Sequence, residues 1–523
     1  MNEAQRTSPN GSSGSERAIA VRDGRTVPAW AVLALVCLGQ FMVVLDVSIV
    51  NVALPSIQRD LGFSLTGLQW VVNAYTLTFA GFLLLGGRAA DLFGRRRMFL
   101  LGLGLFTVAS LAGGLAQNEA WLVTARALQG LGGAVLAPAT LTILTTSFAE
   151  GPERARALGV WSAVAAGGGA AGALLGGVLT DLVSWRWILF VNVPIGIVVV
   201  LASRAVLAES RGDLGHRSLD VAGAVTVTGG LVALVYAIVR TENYGWIAWQ
   251  TFASLGVAAA LLVAFLAIET RAARAPLVPL RIFRLRAVTG ANVFILLLFG
   301  AAFSSWYFQT LFMQNVLGYT PLQAGLAFVP QTLMIAVAAQ VSSRLVIRLG
   351  ARTLLVIGPI VAAAGMLWLS RISPGSQYVS GLLGPGLLTA AGFGLSVPAV
   401  TLAATSGIPR RDAGLASGLL NTNRQVGASI GLAALATLAA DRTASLLAGS
   451  GAAPVQVAAA LTHGYGRAFS VAVFVCLAAA AVAALVLPST RWVREAAGTW
   501  EPVDAEAAAP PEPGEPVPEV ERV

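Results

Sequence analysis

Asp46 stands in "FMVVLDVSIVNVALP", residues 41–55, at the end of a long apolar run, with Val43, Val44, Leu45 and Val47 around it. A charge at bilayer depth costs at least about 2.5–3.5 kcal/mol on insertion scales, so it persists where it has a partner or a task. Arg126, in "RALQGLGGAVLAPA", is the candidate partner. The two can form a structural ion pair that fixes helix packing. Alternatively, Asp46 is a protonation site, tuned by desolvation on one side and by the arginine on the other.

A second polar stretch, "NTNRQVG", carries Asn421 and Arg424 in another apolar run. An intramembrane arginine either serves a function or caps backbone carbonyls at a helix break, and it opens the way to an anionic or zwitterionic substrate. Phe299, Phe303, Trp306 and Gln309 recur at helical spacing. Such a stripe is core or lipid-facing surface, or one wall of a wide cavity for a bulky lipophilic ligand. Gln129 and Trp161 complete the candidate cavity residues. No phosphate-cradling G-x-x-x-x-G-K loop and no H-E-x-x-H occurs, and the two histidines, His216 and His463, read as parts of connections. An ATP-driven pump and an enzyme are therefore set aside, and no metal or cofactor is expected.

These residues sit in a chain of 523 residues that is 56% hydrophobic and 11% charged, with a mean hydropathy of +0.76. Soluble domains carry about 25% charged residues. An all-α integral membrane protein is expected, with spans near 28–50, 67–87, 98–117, 120–145, 158–180, 187–207, 219–239, 249–269, 288–312, 322–343, 352–371, 379–403, 414–440 and 466–487. The net charge of +9 comes entirely from arginine, clustered between these runs, and reads as topology, not as a nucleic-acid footprint. By the positive-inside rule about 26 of the 34 arginines fall in the tails and even-numbered connections, which puts both termini in the cytoplasm. Arg88, Arg95, Arg96 and Arg97, then Arg204, Arg211 and Arg217, then Arg271, Arg274, Arg281, Arg284 and Arg286 mark that side, and Tyr244, Trp246 and Trp249 suit the opposite interface. Cys37 and Cys476 fall inside apolar runs and are assigned to packing. Residues 1–27 and 491–523, rich in Ser/Gly and Pro/Glu, are expected to be disordered.

The chain also repeats. "GRAADLFGRRRMFLLGLGLF" is echoed by "SRLVIRLGARTLLVIGPIV": aligning Gly94 with Gly350 pairs Arg88 with Arg344 and Arg96 with Arg352, while Asp91 meets Ile347. "GLGGAVLAPATL" is echoed by "AAGFGLSVPAVTL", with Pro138 and Pro398 at the same offset. A six-helix unit used twice follows, in 28–207 and 288–490, with two inserted helices in 208–287 between them.

In "LDVSIVNVALP", "GGRAADLFGRRR", "RALQGLGGAVLAPA" and "GGGAAGALLGGVLTDLVSWRWILFVNVPIG", in this order and spacing, the chain resembles the fourteen-helix drug:proton antiporters (EmrB/QacA type) of the major facilitator superfamily over about residues 28 to 490. The resemblance implies the major facilitator fold in a bacterial cytoplasmic membrane and export of a small lipophilic substrate in exchange for protons. It favours Asp46, with Arg126, as the proton-coupling site. It makes the loop of Gly87, Asp91, Gly94, Arg95 and Arg96 a cytoplasmic gate latch; the bare residues also allow a purely topogenic loop. Gly168, Gly172, Gly176 and Gly177 match the antiporter packing motif, although Ala173 stands where such members carry proline, which removes an expected kink. A monomer is expected, with an accessory partner left open. Export of one endogenous metabolite, or import by the same fold, is the alternative.

Overall fold

The structure, a computed structural model, describes residues 18–20, 26–149, 151–211, 219–272, 276–405, 413–448 and 453–487. Arg217, Arg274, His216 and the tail from 488 lie outside these. Of the lead-in expected to be disordered, the described part is a short antiparallel ribbon, β1 Ala18–Ala20 on β2 Thr26–Pro28. The described residues hold fourteen helices long and apolar enough to cross a membrane. They are α1 Ala29–Leu61, α2 Gly67–Phe93, α3 Arg95–Gly114, α4 Glu119–Ser147, α5 Pro152–Leu182, α6 Trp187–Val206, α7 Val221–Thr241, α8 Trp249–Arg271, α9 Arg286–Asn315, α10 Pro321–Leu349, α11 Ala351–Leu369, α12 Tyr378–Thr405, α13 Gly414–Leu447 and α14 Pro454–Val486. Successive helices run in opposite directions, so α1 begins and α14 ends at the same face, the termini end; the other is the distal end.

Several boundaries correct the sequence reading. α1 does not stop near 50, because its polar residues bond back onto their own helix: Asn51 Nδ2 donates to the Val47 carbonyl at 2.9 Å and Arg59 Nε to that of Pro55 at 3.2 Å. The helix ends at Gly62 with φ 76, which places Asp46 near the midpoint of 33 residues. α14 starts at Pro454, a residue suited to a first turn, so His463 is helical and not part of a connection. α13 extends far enough to include Asp441 near its distal end. α2 continues to Phe93, so Gly87 and Asp91 are helical and the expected loop shrinks to Gly94 alone.

The repeat is built in detail. Gly94 (φ 112) is the single residue between α2 and α3, and Gly350 (φ 78) the single residue between α10 and α11. Both φ values lie where a Cβ is strained. From the next turn Arg96 Nη2 donates to the carbonyl of Arg204 at 2.5 Å, and its counterpart Arg352 donates to that of Ala484. Each acceptor lies two residues before the last residue of its bundle's final helix. A Cβ at Gly102 would lie 2.9 Å from the Gly132 carbonyl, and one at Gly358 2.8 Å from that of Gly392, so α3 crosses α4 as α11 crosses α12. Gly94→Ala is expected to lower stability by about 1–2 kcal/mol from backbone strain, seen as a lower thermal midpoint of the purified protein.

The fold is thus two six-helix bundles, α1–α6 and α9–α14. α7 and α8 stand beside them: Leu231, Val235 and Val239 of α7 pack with Leu77 of α2 and Val426 of α13. The bundles meet unevenly. One apolar cluster joins Ile49–Ile57 positions of α1, Val71, Val72 and Ile188 to Phe294, Tyr307, Phe312, Ala324 and Phe469 of the second bundle. Toward the termini end, a second cluster, from Val32 to Leu207, holds first-bundle residues alone. Every residue of α1 from Ile49 to Pro55 and of α9 from Tyr307 to Met313 is buried, whereas their termini-side halves keep exposed or half-exposed positions. The molecule is sealed distally, while toward the termini α1 and α9 open and α2 still meets α13, where Phe82, Leu84 and Leu85 pack with Ala416 and Leu419. Gln314 Nε2 bonds the Val52 carbonyl at 2.7 Å within the seal. At the distal rim, Asp60 takes bonds from Arg186 Nη1 at 2.6 Å and Trp185 Nε1 at 2.9 Å.

Candidate functional site

Asp46 is fully buried and Arg126 is 2% exposed. Arg126 Nη1 donates to Asp46 Oδ2 at 2.5 Å and to Gln129 Oε1 at 2.6 Å, and its Nε donates to the Val71 carbonyl at 3.0 Å. Gln129 Nε2 donates to Asp46 Oδ1 at 2.7 Å and to Ser110 Oγ at 2.7 Å, while Asn192 Nδ2 approaches Oδ1 at 3.3 Å. The guanidinium carbon lies 4.5 Å from the centre of the Tyr75 ring. Five helices, α1, α2, α3, α4 and α6, therefore converge on one carboxylate. A neutralised cation, two amides and a hydroxyl surround it, the arrangement that lets a buried charge persist and makes its proton state matter to all five.

Sequence reasoning brought Asp46 and Arg126 together and missed most of their setting. Gln129 was assigned to the substrate cavity, yet its amide is spent inside this cluster and is 1% exposed. Asn192, Ser110 and Tyr75 carry no periodicity that marks them; Asn192 had one signal, its place beside Pro194 where α6 is interrupted at Val191.

The second bundle has no counterpart. With Gly94 on Gly350 and Pro138 on Pro398, Tyr75 aligns with Gln331 and Arg126 with Gly386. A side chain at Gly386 would run into the Gln331 amide, which fills that space and donates to Gln309 Oε1 at 2.8 Å. Where the first bundle holds a charge pair, the second holds neutral amides.

The glycines of α5 face two ways. A Cβ at Gly168 would lie 3.3 Å from Val44, at Gly172 2.6 Å from Ser48 and at Gly176 2.7 Å from the Ile49 carbonyl, all on α1. Gly177 faces α10 instead, with Leu322 Cα and the Pro321 carbonyl each 2.8 Å away. Ser48 Oγ donates to the Gly169 carbonyl at 2.6 Å. The close-packing face is present without the proline.

At the termini end Arg95 Nη2 holds Asp91 Oδ1 at 3.0 Å, and its backbone N–H donates to the Ser210 carbonyl at 2.9 Å. Arg97 Nε stands 3.6 Å from Glu209 Oε2. The cluster ties α2, α3 and the end of α6 within one bundle.

Of the remaining cavity candidates, Phe303 is buried in the core cluster, edge-on to Trp306 at 6.4 Å, and does not line open space. Trp306 is half-buried, and Trp161 is half-buried against the first-bundle cluster. Arg424 is half-buried and Asn421 exposed.

The sequence profile described as Major Facilitator Superfamily matches residues 36–432. The chain belongs to the Major Facilitator Superfamily. It is similar to the cephamycin export protein CmcT of Amycolatopsis lactamdurans, 46% identical over 90% of this chain and 94% of that protein. It is similar also to the puromycin resistance protein pur8 of Streptomyces alboniger, 40% identical over 88% of this chain and 92% of that one. The multidrug resistance protein Stp of Mycobacterium tuberculosis is 38% identical, over 77% of this chain and 74% of its own length. The fold is also that of a bacterial homologue of the human lysosomal transporter Spinster, solved inward-facing and unoccupied, with a TM-score of 0.65 at 16% identity over 91% of this chain and 99% of that one. These helices build the scaffold of a transporter superfamily.

Proposed function

We propose that this protein exports lipophilic antibiotics or drugs across the bacterial cytoplasmic membrane in exchange for protons, by alternating access, with both termini in the cytoplasm. One observation carries the reading: a fully buried carboxylate, Asp46, bonded to one cation and two amides where five helices converge. Protonating it removes the charge that Arg126 answers, which changes how those helices hold together. The distal seal and the opening toward the termini correspond to the inward-open half of such a cycle. With Asp46 enclosed, a cationic substrate cannot reach it in this state, so the proton and the substrate occupy different places. One proton entering across about 100 mV supplies about 2.3 kcal/mol, and each pH unit about 1.4.

The relatives named for antibiotic export and resistance support the direction. A transporter dedicated to one product is the second reading, favoured by the similarity to a relative named for a single antibiotic class. Everted vesicles acidified by respiration test both: a panel of cephamycins, puromycin and lipophilic dyes is added while the pH gradient is followed. Gradient collapse by several compounds in wild type, and by none in Asp46→Asn, is the expected result. Collapse by one compound class alone selects the dedicated exporter. An equal response in Asp46→Asn removes Asp46 from the coupling step.

A further inference from the structure

Beside the seam of α9 and α13 stands a cation with no carboxylate against it among the described residues. The guanidinium carbon of Arg424 lies 4.4 Å from the centre of the Phe299 ring, and Nη1 donates to Asn421 Oδ1 at 3.3 Å. Arginine–carboxylate bridges among the described residues include Arg95 to Asp91, Arg97 to Glu209, Arg126 to Asp46 and Arg186 to Asp60, and Arg424 takes part in none of these.

Its direction follows from α9. Phe299, Phe303, Trp306 and Gln314 form one drifting helical stripe, and Gln314 reaches Val52 of the first bundle. On the other side of the helix Phe308 meets Tyr465 and Phe469 of α14. Phe299 therefore looks toward the first bundle, and Arg424 stands over it. Its depth follows from α13: Ser429, which bonds Thr76 beside the Tyr75 ring, is about 1.4 turns farther on, about 7.5 Å at 1.5 Å per residue. Arg424 thus lies on the termini side of the Asp46 cluster and below the distal seal. On this stretch of the two helices, Val293 is 43% exposed and Asn421 is exposed as well.

A charge at this depth calls for a counter-charge or water. Among the described residues of the first bundle, the carboxylate within the membrane at this depth is Asp46, which is enclosed and already answered by Arg126. On the face that α13 and α9 turn toward the first bundle stands a guanidinium backed by an aromatic ring, with an exposed amide and the exposed Val293 beside it. That set of groups matches a planar oxyanion on an apolar body: the guanidinium fork grips it through paired hydrogen bonds, and the ring leaves the fork's edge free.

We propose that Arg424, assisted by Asn421, binds the carboxylate of the exported compound, so that the substrates of this transporter are amphiphilic organic anions. This deepens the export reading and relies on it for the direction of transport. Moving a monoanion out against one entering proton carries two elementary charges per cycle, twice that for a neutral substrate.

The test uses the full chain in phosphatidylcholine nanodiscs, titrated with dansyl-phenylalanine and with its uncharged methyl ester. Wild type is expected to prefer the acid by at least about tenfold, equivalent to about 1.4 kcal/mol. Arg424→Gln is expected to bind the ester as wild type does and to lose the preference, and Arg424→Lys to keep part of it. Asp46→Asn is expected to retain the preference while losing proton movement in vesicles, which separates anion recognition from coupling. Equal affinities for acid and ester in wild type, binding of neither, or a preference that survives Arg424→Gln would overturn the assignment. So would an acid preference that disappears when phosphatidylglycerol replaces part of the lipid, because the site would then belong to lipid phosphate.

Discussion

Arg126→Leu is expected to lower stability by about 3–5 kcal/mol, because it leaves the Asp46 carboxylate buried and uncompensated. Adding Asp46→Asn to the same chain is expected to restore most of that stability and none of the proton movement. The two changes are not symmetric in cost. Taking away one partner of a buried pair strands the other, whereas replacing both leaves neutral groups that Gln129, Ser110 and Asn192 can still satisfy. A double-mutant cycle on the thermal or denaturant stability of the purified protein measures the coupling. The outcome also reports the proton. If Arg126→Leu costs under about 1 kcal/mol, Asp46 is already protonated in the resting protein, and the cycle would begin with a proton bound. If the cost is large, the resting state holds the ion pair seen here, and proton uptake belongs to the opposite state.

The fold was legible where the physics is local. Fourteen apolar runs, their alternation and the Gly94–Gly350 repeat follow from span length, charge placement and one backbone conformation that only glycine adopts cheaply. Ends of helices were less legible, because a mixed polar stretch such as Asn51 to Arg59 reads as an exit from the membrane unless its side chains are known to bond back to the helix. In the site, Asp46 and Arg126 announced themselves by the cost of charge in an apolar run. Their partners did not. Ser110, Gln129, Asn192 and Tyr75 are ordinary residues whose meaning arises only when five helices bring them to the same point. The exchange of an arginine for glycine at Gly386, matched by an amide at Gln331, is likewise invisible until the two bundles are compared. Phe303 misled for the opposite reason: a stripe gives the face of a helix but not where along that face the bundles close.

Two glycines on one helix should fail in different ways. A side chain at Gly172 would meet Ser48 Cβ at 2.6 Å and the Leu45 carbonyl at 2.9 Å, a contact within the first bundle that exists whichever end is open. A side chain at Gly177 would meet Leu322 and Pro321 across the bundle interface, a contact of the distally closed state that opening of that end is expected to break. Overpacking costs about 1–3 kcal/mol in either place. At Gly172 the cost falls on folding itself, and Gly172→Val is expected to lower the thermal midpoint. At Gly177 it falls on one conformation, so Gly177→Val is expected to leave the midpoint nearly unchanged and to shift the balance toward distal opening by roughly five- to 150-fold. A cysteine pair at Val52→Cys and Gln314→Cys, whose parent residues touch in the seal, reads that balance through its rate of cross-linking, with native Cys37 and Cys476 both buried. Slower cross-linking in Gly177→Val and an unchanged rate in folded Gly172→Val would make the α5–α10 contact the element that transport must break. If both variants lose stability alike and cross-link alike, the interface is a fixed part of the fold, and the opening has to be sought along α2 and α13 instead.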